Sequence, residues 1–326
     1  MRHATTLTCI VPGLNEADNL PLLMPILLEE LRKLQLSFEI IVVDDGSTDN
    51  TENVVKQLQQ QCTELVYIQL SRNFGKEAAL TAGLQASQGQ VVVCMDADMQ
   101  HPPSLIAQML EKWQQGLDMV YAVRSSRDDE GWAKRIGTAM FYQLMRTSNG
   151  LRVPRDAGDF RLLDRSVVDA LMTLPERSRF MKGLFAWVGF ESGPIYYTPQ
   201  ERAHGVSRFR PGKLLRFAVD GLTAFTTWPL RLLSLLGIVL ALFSFSYGLF
   251  VIFKYFLFGE QVRGWVSLIT VVLFFSGINL MSLGIVGEYI ASIFVEVKDR
   301  PLFLVRQRTG RGLPDEPVKG SADTHS

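Results

Sequence analysis

The sequence predicts an α/β domain built on a mostly parallel, Rossmann-like sheet and followed by two membrane-spanning helices. Three observations predict it. Short apolar runs alternate with helical patterns through the first third of the chain, the signature of strand–helix–strand units. The apolar runs end in polar clusters rather than in featureless turns. The last third contains two long stretches without a single charge.

The elements follow in order. Leu7 to Val11 reads as a buried strand stopped by Pro12-Gly13, and Leu20 to Leu34 carries apolar residues at helical spacing, Leu23, Ile26, Leu27, Leu31 and Leu34. Phe38 to Val43 is the second strand and ends in Asp44-Asp45-Gly46-Ser47. Thr51 to Gln60 reads as a helix with Asp49 or Asn50 at its N-cap. Leu65 to Leu70 is a third strand, Lys76 to Ala86 a helix closed by Gln88-Gly89, and Gln90 to Met95 a fourth strand ending in Asp96-Ala97-Asp98. Pro102-Pro103 opens a further helix, since proline is tolerated in a first turn. In such sheets ligands bind beyond the carboxyl ends of the strands. Asn15-Glu16, Asp44-Asp45, Asn73 and Asp96-Asp98 should therefore converge on one rim.

Composition bounds the partners. Of 326 residues, Lys+Arg and Asp+Glu each number 33, so the net charge is zero and nucleic acid is not indicated. The three cysteines, Cys9, Cys62 and Cys94, form no CxxC pair, which excludes a disulfide framework or zinc site and fits a reducing compartment. Residues 1–6 lack the apolar core of a signal peptide, so the first domain should stay where it is made.

Leu232 to Phe253 and Trp265 to Gly287 carry no charge, and each exceeds the roughly 20 residues that cross a bilayer. Buried core helices are the alternative. Arg208, Arg210, Lys213, Arg216 and Arg231 precede the pair, and Lys298, Arg300, Arg306, Arg308 and Arg311 follow it. The intervening loop has only Lys254 and Arg263, so both flanks should be cytoplasmic. Leu214 to Trp228 combines an apolar face with basic residues, as an interfacial helix does. The expected organisation is a cytoplasmic catalytic domain over 1–206, interfacial helices over 207–230, a transmembrane hairpin over 231–295 and a cytoplasmic tail over 296–326, polar and disordered from Gly312 on. Gly237, Gly277, Gly284 and Gly287 permit close helix packing, and hence a homo-oligomer.

Asp96 and Asp98, two apart at a strand end, can face one hard cation, Mg²⁺ or Mn²⁺, bridging a diphosphate. Gln100 offers a third oxygen. His101 is the weaker candidate, with a surface role equally open. The Asp44-Asp45 pair suits hydrogen bonds from a nucleobase and a ribose, although its loop also reads as a helix cap.

VPGLNE, VVDDGSTDNT, NFGKEAALTAG and DADMQHPP, in this order, resemble the family 2 glycosyltransferases of GT-A fold. RDAGDFRLLDR and ERAHGVSRF, followed by two spans, resemble the polyprenyl-phosphate branch, which includes dolichol-phosphate mannose synthase and bacterial bactoprenol glucosyltransferases. The likeness extends from about residue 7 to about residue 310. The resemblance implies that Pro12, Asn15, Glu16, Asp44, Asp45, Lys76 and Asp96 serve the nucleotide-sugar donor. It implies that Asp96, Asp98 and Gln100 hold the metal, and that Arg127, Lys134, Ser207 and Arg208 meet the acceptor phosphate. Asp156, Asp159, Arg124, Arg135 and Arg208 are its catalytic candidates, with Asp156 and Asp159 also readable as loop or capping residues. Arg161 could pair with either.

The implied reaction is inverting transfer of one sugar, glucose from UDP-glucose, to polyprenyl (undecaprenyl) phosphate at the cytoplasmic face of a bacterial inner membrane. GDP-mannose and a UDP-linked amino-arabinose are the alternative donors. The chain lacks the QxxRW motif of processive synthases, which favours single transfer. A phosphate acceptor is already anionic and needs little general base, unlike a hydroxyl. The competing readings are a transferase to a hydroxyl, a catalytically dead nucleotide-binding scaffold, and a small channel, which two spans with few polar residues do not support.

Overall fold

A computed structural model describes residues 2, 4–125, 157–177, 179–198, 228–258 and 264–313. The first unit contains β1 (Thr6–Gly13), α1 (Leu20–Lys33), β2 (Ser37–Asp44), α2 (Thr51–Gln61), β3 (Leu65–Leu70), α3 (Lys76–Ala86), β4 (Val91–Cys94), α4 (Leu105–Gln114) and β5 (Met119–Arg124). It continues with β6 (Ala157–Asp164), α5 (Arg165–Thr173), α6 (Met181–Trp187), β7 (Ser192–Tyr197) and, after the second unit, β8 (Val305–Thr309). The second unit contains α7 (Trp228–Phe258) and α8 (Trp265–Val297).

The eight strands form one sheet in the order β7-β5-β6-β4-β1-β2-β3-β8. β4, β1, β2 and β3 run parallel, as does β5 beside β7, while β6 and β8 run antiparallel to their neighbours. The sheet is therefore mostly parallel but mixed. Its central strands are buried on both faces, as crossover helices require, which explains their largely apolar runs. On one face Leu23, Leu27 and Leu31 of α1, Val55 of α2 and Met109 and Trp113 of α4 pack against Cys9, Val11, Ile40, Val42 and Tyr67. On the other, α3 lies so close to β1 that a Cβ on Gly83 would overlap the Ile10 side chain. Cys9 and Cys94 are buried free thiols within the strands, as expected of small apolar side chains.

From β1 to α4, two boundaries move by two residues or more from the sequence reading, and the others by at most one. β1 runs through Pro12 and Gly13 instead of stopping before them. Ile10 accepts from the Met95 N–H, so Pro12, two residues on, faces the same side, where β4 has already ended. Its missing donor costs no ladder bond there. α4 starts at Leu105 behind Ser104, because Pro102 and Pro103 supply carbonyl acceptors for Leu105 and Ile106.

The region set apart as a tail contains β8, which pairs with β3 at the sheet edge. Leu313 is buried, and its N–H donates to Glu39 Oε2 at 3.2 Å. The rest of the tail, the interfacial segment before Trp228 and most of the loop between α7 and α8 lie outside the described residues.

α7 and α8 contain stretches, Leu232–Phe250 and Phe274–Val297, long and apolar enough to cross a membrane, with none of either window buried. Phe243, Phe256 and Met281 are 68%, 81% and 70% exposed. The buried-core alternative therefore fails for both helices. A Cβ added at Gly237, Gly277, Gly284 or Gly287 would meet nothing within 4 Å, so these positions are open within one chain.

Candidate active site

The site is built at the carboxyl ends of β1, β2, β3 and β4 and at the amino end of β6, which runs antiparallel to β4. The loops after β1 and β2 are laced together. Asn15 N–H donates to Ser47 Oγ at 2.8 Å, and Asn15 Oδ1 accepts from Thr48 N–H at 2.8 Å. Glu16 N–H donates to Thr51 Oγ1 at 3.1 Å. Asn15 holds a left-handed backbone, φ 59°, which asparagine tolerates better than most residues. Asp49 Oδ1 accepts from Thr51 N–H and hydroxyl, so its carboxylate caps α2, while Asn50 occupies the N-cap position and its Oδ1 accepts from the Asn53 side chain instead of a backbone N–H.

Asp44 and Asp45 are 1% and 4% exposed. Asp44 accepts from Ser47 N–H at 2.7 Å, Tyr67 hydroxyl at 2.6 Å and Gln69 Nε2 at 3.3 Å. Asp45 accepts from the N–H groups of Phe74 and Gly75 at 2.7 and 2.9 Å. A carboxylate offers about four acceptor sites, so each retains capacity for a ligand. Burial pushes the Asp45 carboxyl up, against the pull of those two N–H donors. Asp45 also ties down the turn that starts α3. Gly46 is obligatory between the loops: φ is 72°, and a Cβ would come within 2.5–2.9 Å of the Arg72–Asn73 backbone.

α3 begins with Lys76, which bridges two carboxylates. Its Nζ lies 2.7 Å from Asp96 Oδ1 and 2.6 Å from Asp159 Oδ2. Lys182, on α6, sits 3.8 Å from Asp159 Oδ1. Burial raises the Asp159 carboxyl, but the ammonium groups of Lys76 and Lys182 outweigh it and hold Asp159 well below the usual carboxylate range. Lys76 is raised, because its two carboxylates outweigh its own burial. Arg161 is buried, donates from Nε to Gly158 carbonyl at 3.0 Å and lies 4.3 Å from the Phe185 ring centre, while its charge helps to lower Asp159.

Asp96, Asp98 and His101 bring one ligand atom each to within 4.8 Å of one another. His101 is 6% exposed, which corrects the surface role left open for it. It is held against Phe160 and Tyr197, and its Nδ1 is buried with no hydrogen-bond partner among the described residues. Burial lowers its pKa, so the imidazole is neutral at neutral pH, the form that ligates metals. An orphaned ring nitrogen and two carboxylates form a donor set that fits a divalent cation such as Mn²⁺ or Mg²⁺. Gln100 Oε1 instead accepts from Arg124 Nη2 at 2.8 Å.

Glu77, next to Lys76, has its carboxyl pushed up to about 7 by burial and by the charge of Asp159, while it accepts the Met181 N–H at the start of α6. The sign follows from proton uptake on folding. The folded value lies above the unfolded 4.5, so the fold is favoured most at low pH and loses stability as pH rises from about 4.5 to about 7. Glu77→Gln keeps an acceptor for Met181. It should remove that slope and gain about 1–2 kcal/mol at pH 8, allowing for solvent screening of a part-exposed carboxyl. Denaturation midpoints at pH 5 and pH 8 check this; an unchanged slope in the variant would show that another group titrates.

A family model for glycosyl transferase family 2 matches residues 8–172, half of the chain and all of the site up to β6. The chain belongs to glycosyl transferase family 2. It is 43% identical over 304 residues to an uncharacterized glycosyltransferase of Synechocystis sp., covering 93% of this chain and 96% of that one. It is 39% identical over 308 residues to the SfII prophage-derived bactoprenol glucosyl transferase of Shigella flexneri, covering 94% and 99%. A solved mannosyltransferase from Pyrobaculum calidifontis, in complex with GDP-Man and Mn²⁺, aligns over 68% of this chain and 62% of its own, with 19% identity and a TM-score of 0.47. The mixed sheet is the family's Rossmann-like GT-A domain.

Of the residues expected in this family 2 site, Asn15, Glu16, Asp44, Asp45, Lys76, Asp96, Asp98 and Asp159 come together at the strand ends, with Pro12 closing β1 beneath them. Arg124 ends β5 and joins the loop that carries Asp96 and Asp98 through Gln100. Arg127, Lys134, Arg135, Asp156, Ser207 and Arg208 lie outside the described residues. The sequence reading missed Glu77, Lys182, Tyr67 and Gln69. Glu77 is visible as the acid in the first turn of a helix starting at the rim, and Tyr67 and Gln69 as polar residues two apart in an apolar strand. Lys182 carries no local signal.

Proposed function

We propose that the chain transfers one glucose from UDP-glucose, with inversion, to the phosphate of a polyprenyl lipid at the cytoplasmic face of a membrane. The observation that carries this is the cluster of Asp96, Asp98 and His101, with Lys76 beside it, in a family 2 chain that also holds two exposed apolar helices. The names of relatives at 37–39% identity, bactoprenol glucosyl transferases, support this sugar and lipid class. Two spans return the chain to the side it left, and β8, which follows the second, belongs to the catalytic sheet; this supports one shared compartment for both flanks.

Asp96, Asp98 and His101 would hold the divalent ion. When bound, that ion supplies Lewis-acid neutralisation of the leaving diphosphate. Lys76 adds a second positive charge beside Asp96. Asp45, with acceptor capacity left, faces the nucleoside together with Asp44. Asp159, held anionic by two lysines, is a weak base, which suits a phosphate acceptor better than a hydroxyl. The barrier would then fall by positioning and electrostatics.

Purified protein in detergent, given Mn²⁺, undecaprenyl phosphate and labelled UDP-glucose, UDP-arabinosamine or GDP-mannose, tests the proposal. Label entering the organic phase from UDP-glucose is expected. Transfer only to a hydroxyl acceptor would overturn the acceptor, and transfer only from another donor would overturn the sugar. Arg208→Ala should raise the KM for the lipid about tenfold with little change in donor KM, the loss of one charge-assisted contact. Equal changes in both would remove Arg208 from the acceptor site.

A further inference from the structure

The strand that follows the second apolar helix reaches the donor site through one unbroken hydrogen-bond relay. β8 pairs with β3 so that Gln307 stands opposite Gln69. Gln307 Nε2 donates to Gln69 Oε1 at 3.1 Å, and Gln69 Nε2 donates to Asp44 Oδ2 at 3.3 Å. Gln307 Nε2 is itself fixed by Glu52 Oε1 at 3.0 Å. Gln69 is buried, 4% exposed, so water cannot substitute for either partner at low cost.

The direction of the relay is set by chemistry. Asp44 is an acceptor only, so Gln69 must turn its amide nitrogen toward it. That leaves the Gln69 oxygen facing outward, where it needs a donor, and Gln307 supplies one. Were Gln69 reversed, its oxygen would face a carboxylate and its nitrogen an amide nitrogen. Thus Gln307 selects the Gln69 orientation that donates to Asp44. Tyr67 donates to the same Asp44 oxygen at 2.6 Å, so two groups of β3 aim one carboxylate, and only one of them depends on β8.

We propose that Gln307 is a positioning residue for donor binding, acting through Gln69 on Asp44. The proposal rests on the reading that Asp44 meets the donor's nucleoside. Its consequence is that a segment lying beyond both spans, far from every sequence motif of the site, sets affinity for the nucleotide.

The test uses the full chain in detergent, with UDP and Mn²⁺ as the binding probe and UDP-glucose turnover as the second readout. Gln307→Ala should raise the UDP Kd and the donor KM together, roughly fivefold, with kcat nearly unchanged, as the loss of one neutral hydrogen bond implies. Gln307→Glu should do more, roughly tenfold, because it places an acceptor against the Gln69 oxygen. In a Gln69→Ala background, Gln307→Ala should add almost nothing, since residues acting through one path are not additive. Thr309→Ala breaks a different β8 contact, the 3.1 Å bond to Gln59 Oε1, and should leave donor KM unchanged. If Thr309→Ala raises KM as much as Gln307→Ala, or if the Gln69 and Gln307 effects simply add, β8 acts as a structural clip and the proposal is overturned. Asp44→Asn separates the two levels. If it weakens UDP binding while Gln307→Ala does not, the relay fails alone; if it leaves UDP binding intact, the reading of Asp44 fails and takes the relay with it.

Discussion

Asp98→Ala is expected to lower kcat/KM about a thousandfold, the scale of removing one preorganised electrostatic group from a transfer site. Its stability should change by less than about 1 kcal/mol, because the side chain lies on a part-exposed rim, where the bond it accepts from Gln100 N–H, at 3.2 Å, competes with water. The asymmetry matters. Asp96 is shared between the candidate metal ligands and Lys76, so its loss disturbs an ion-pair network as well. Asp98 gives the cleaner test. Mn²⁺ titration should show weakened binding, and excess Mn²⁺ should restore at most part of the rate. Near-normal turnover at ordinary Mn²⁺ would sink the assignment of Asp98 as a ligand.

The first four strands were legible because each is a largely apolar run bounded by polar or turn residues, and α1 between the first two carries periodic leucines. The later strands were not. β6 reads AGDFRLLD and buries Arg161 in its middle, which defeats a hydropathy pattern. Arg161 is tolerable there because the Gly158 carbonyl, on the same strand, and the Phe185 ring receive it, and the ring is brought by tertiary packing. β8 reads VRQRT and is largely exposed, as an edge strand is, and its partner β3 lies more than two hundred residues earlier. Nothing local announces such a pairing.

The site shows the same division. Asp44, Asp45, Asp96 and Asp98 were legible because topology alone sends strand ends to one rim. The groups that tune them were not, since Lys182 and Gln307 reach Asp159 and Gln69 from elements with no motif. His101 was misjudged because a histidine in a Gln-His-Pro-Pro turn looks like surface. Only the packing of Phe160 and Tyr197 buries it.

Lys76 and Asp159 should change metal affinity in opposite directions. Lys76 Nζ shares itself between Asp96 and Asp159, and a divalent ion held by Asp96, Asp98 and His101 would compete with it for Asp96. Removing the competitor in Lys76→Met should tighten Mn²⁺ binding. Removing its second partner in Asp159→Asn should leave Lys76 wholly on Asp96 and weaken it. The three side chains are between 25% and 46% exposed, so solvent screening limits each effect to about 1 kcal/mol, roughly a fivefold change in Kd. In the double variant the competitor is gone whatever Asp159 was, so Mn²⁺ affinity should match that of Lys76→Met. Turnover should not follow affinity. Lys76→Met should lose about a hundredfold in kcat at saturating Mn²⁺, because the positive charge beside the leaving diphosphate is absent. The Asp159 contribution to the ion pair is present above pH 3.8 and is lost only as pH falls through its depressed folded value, so these effects should hold unchanged from pH 6 to pH 8. Electron paramagnetic resonance of bound Mn²⁺, with turnover measured on the same preparations, reads both quantities. Tighter metal with near-normal kcat in Lys76→Met would reduce Lys76 to a placeholder for the ion, and weaker metal in that variant would show that Lys76 organises the cluster instead of competing for it.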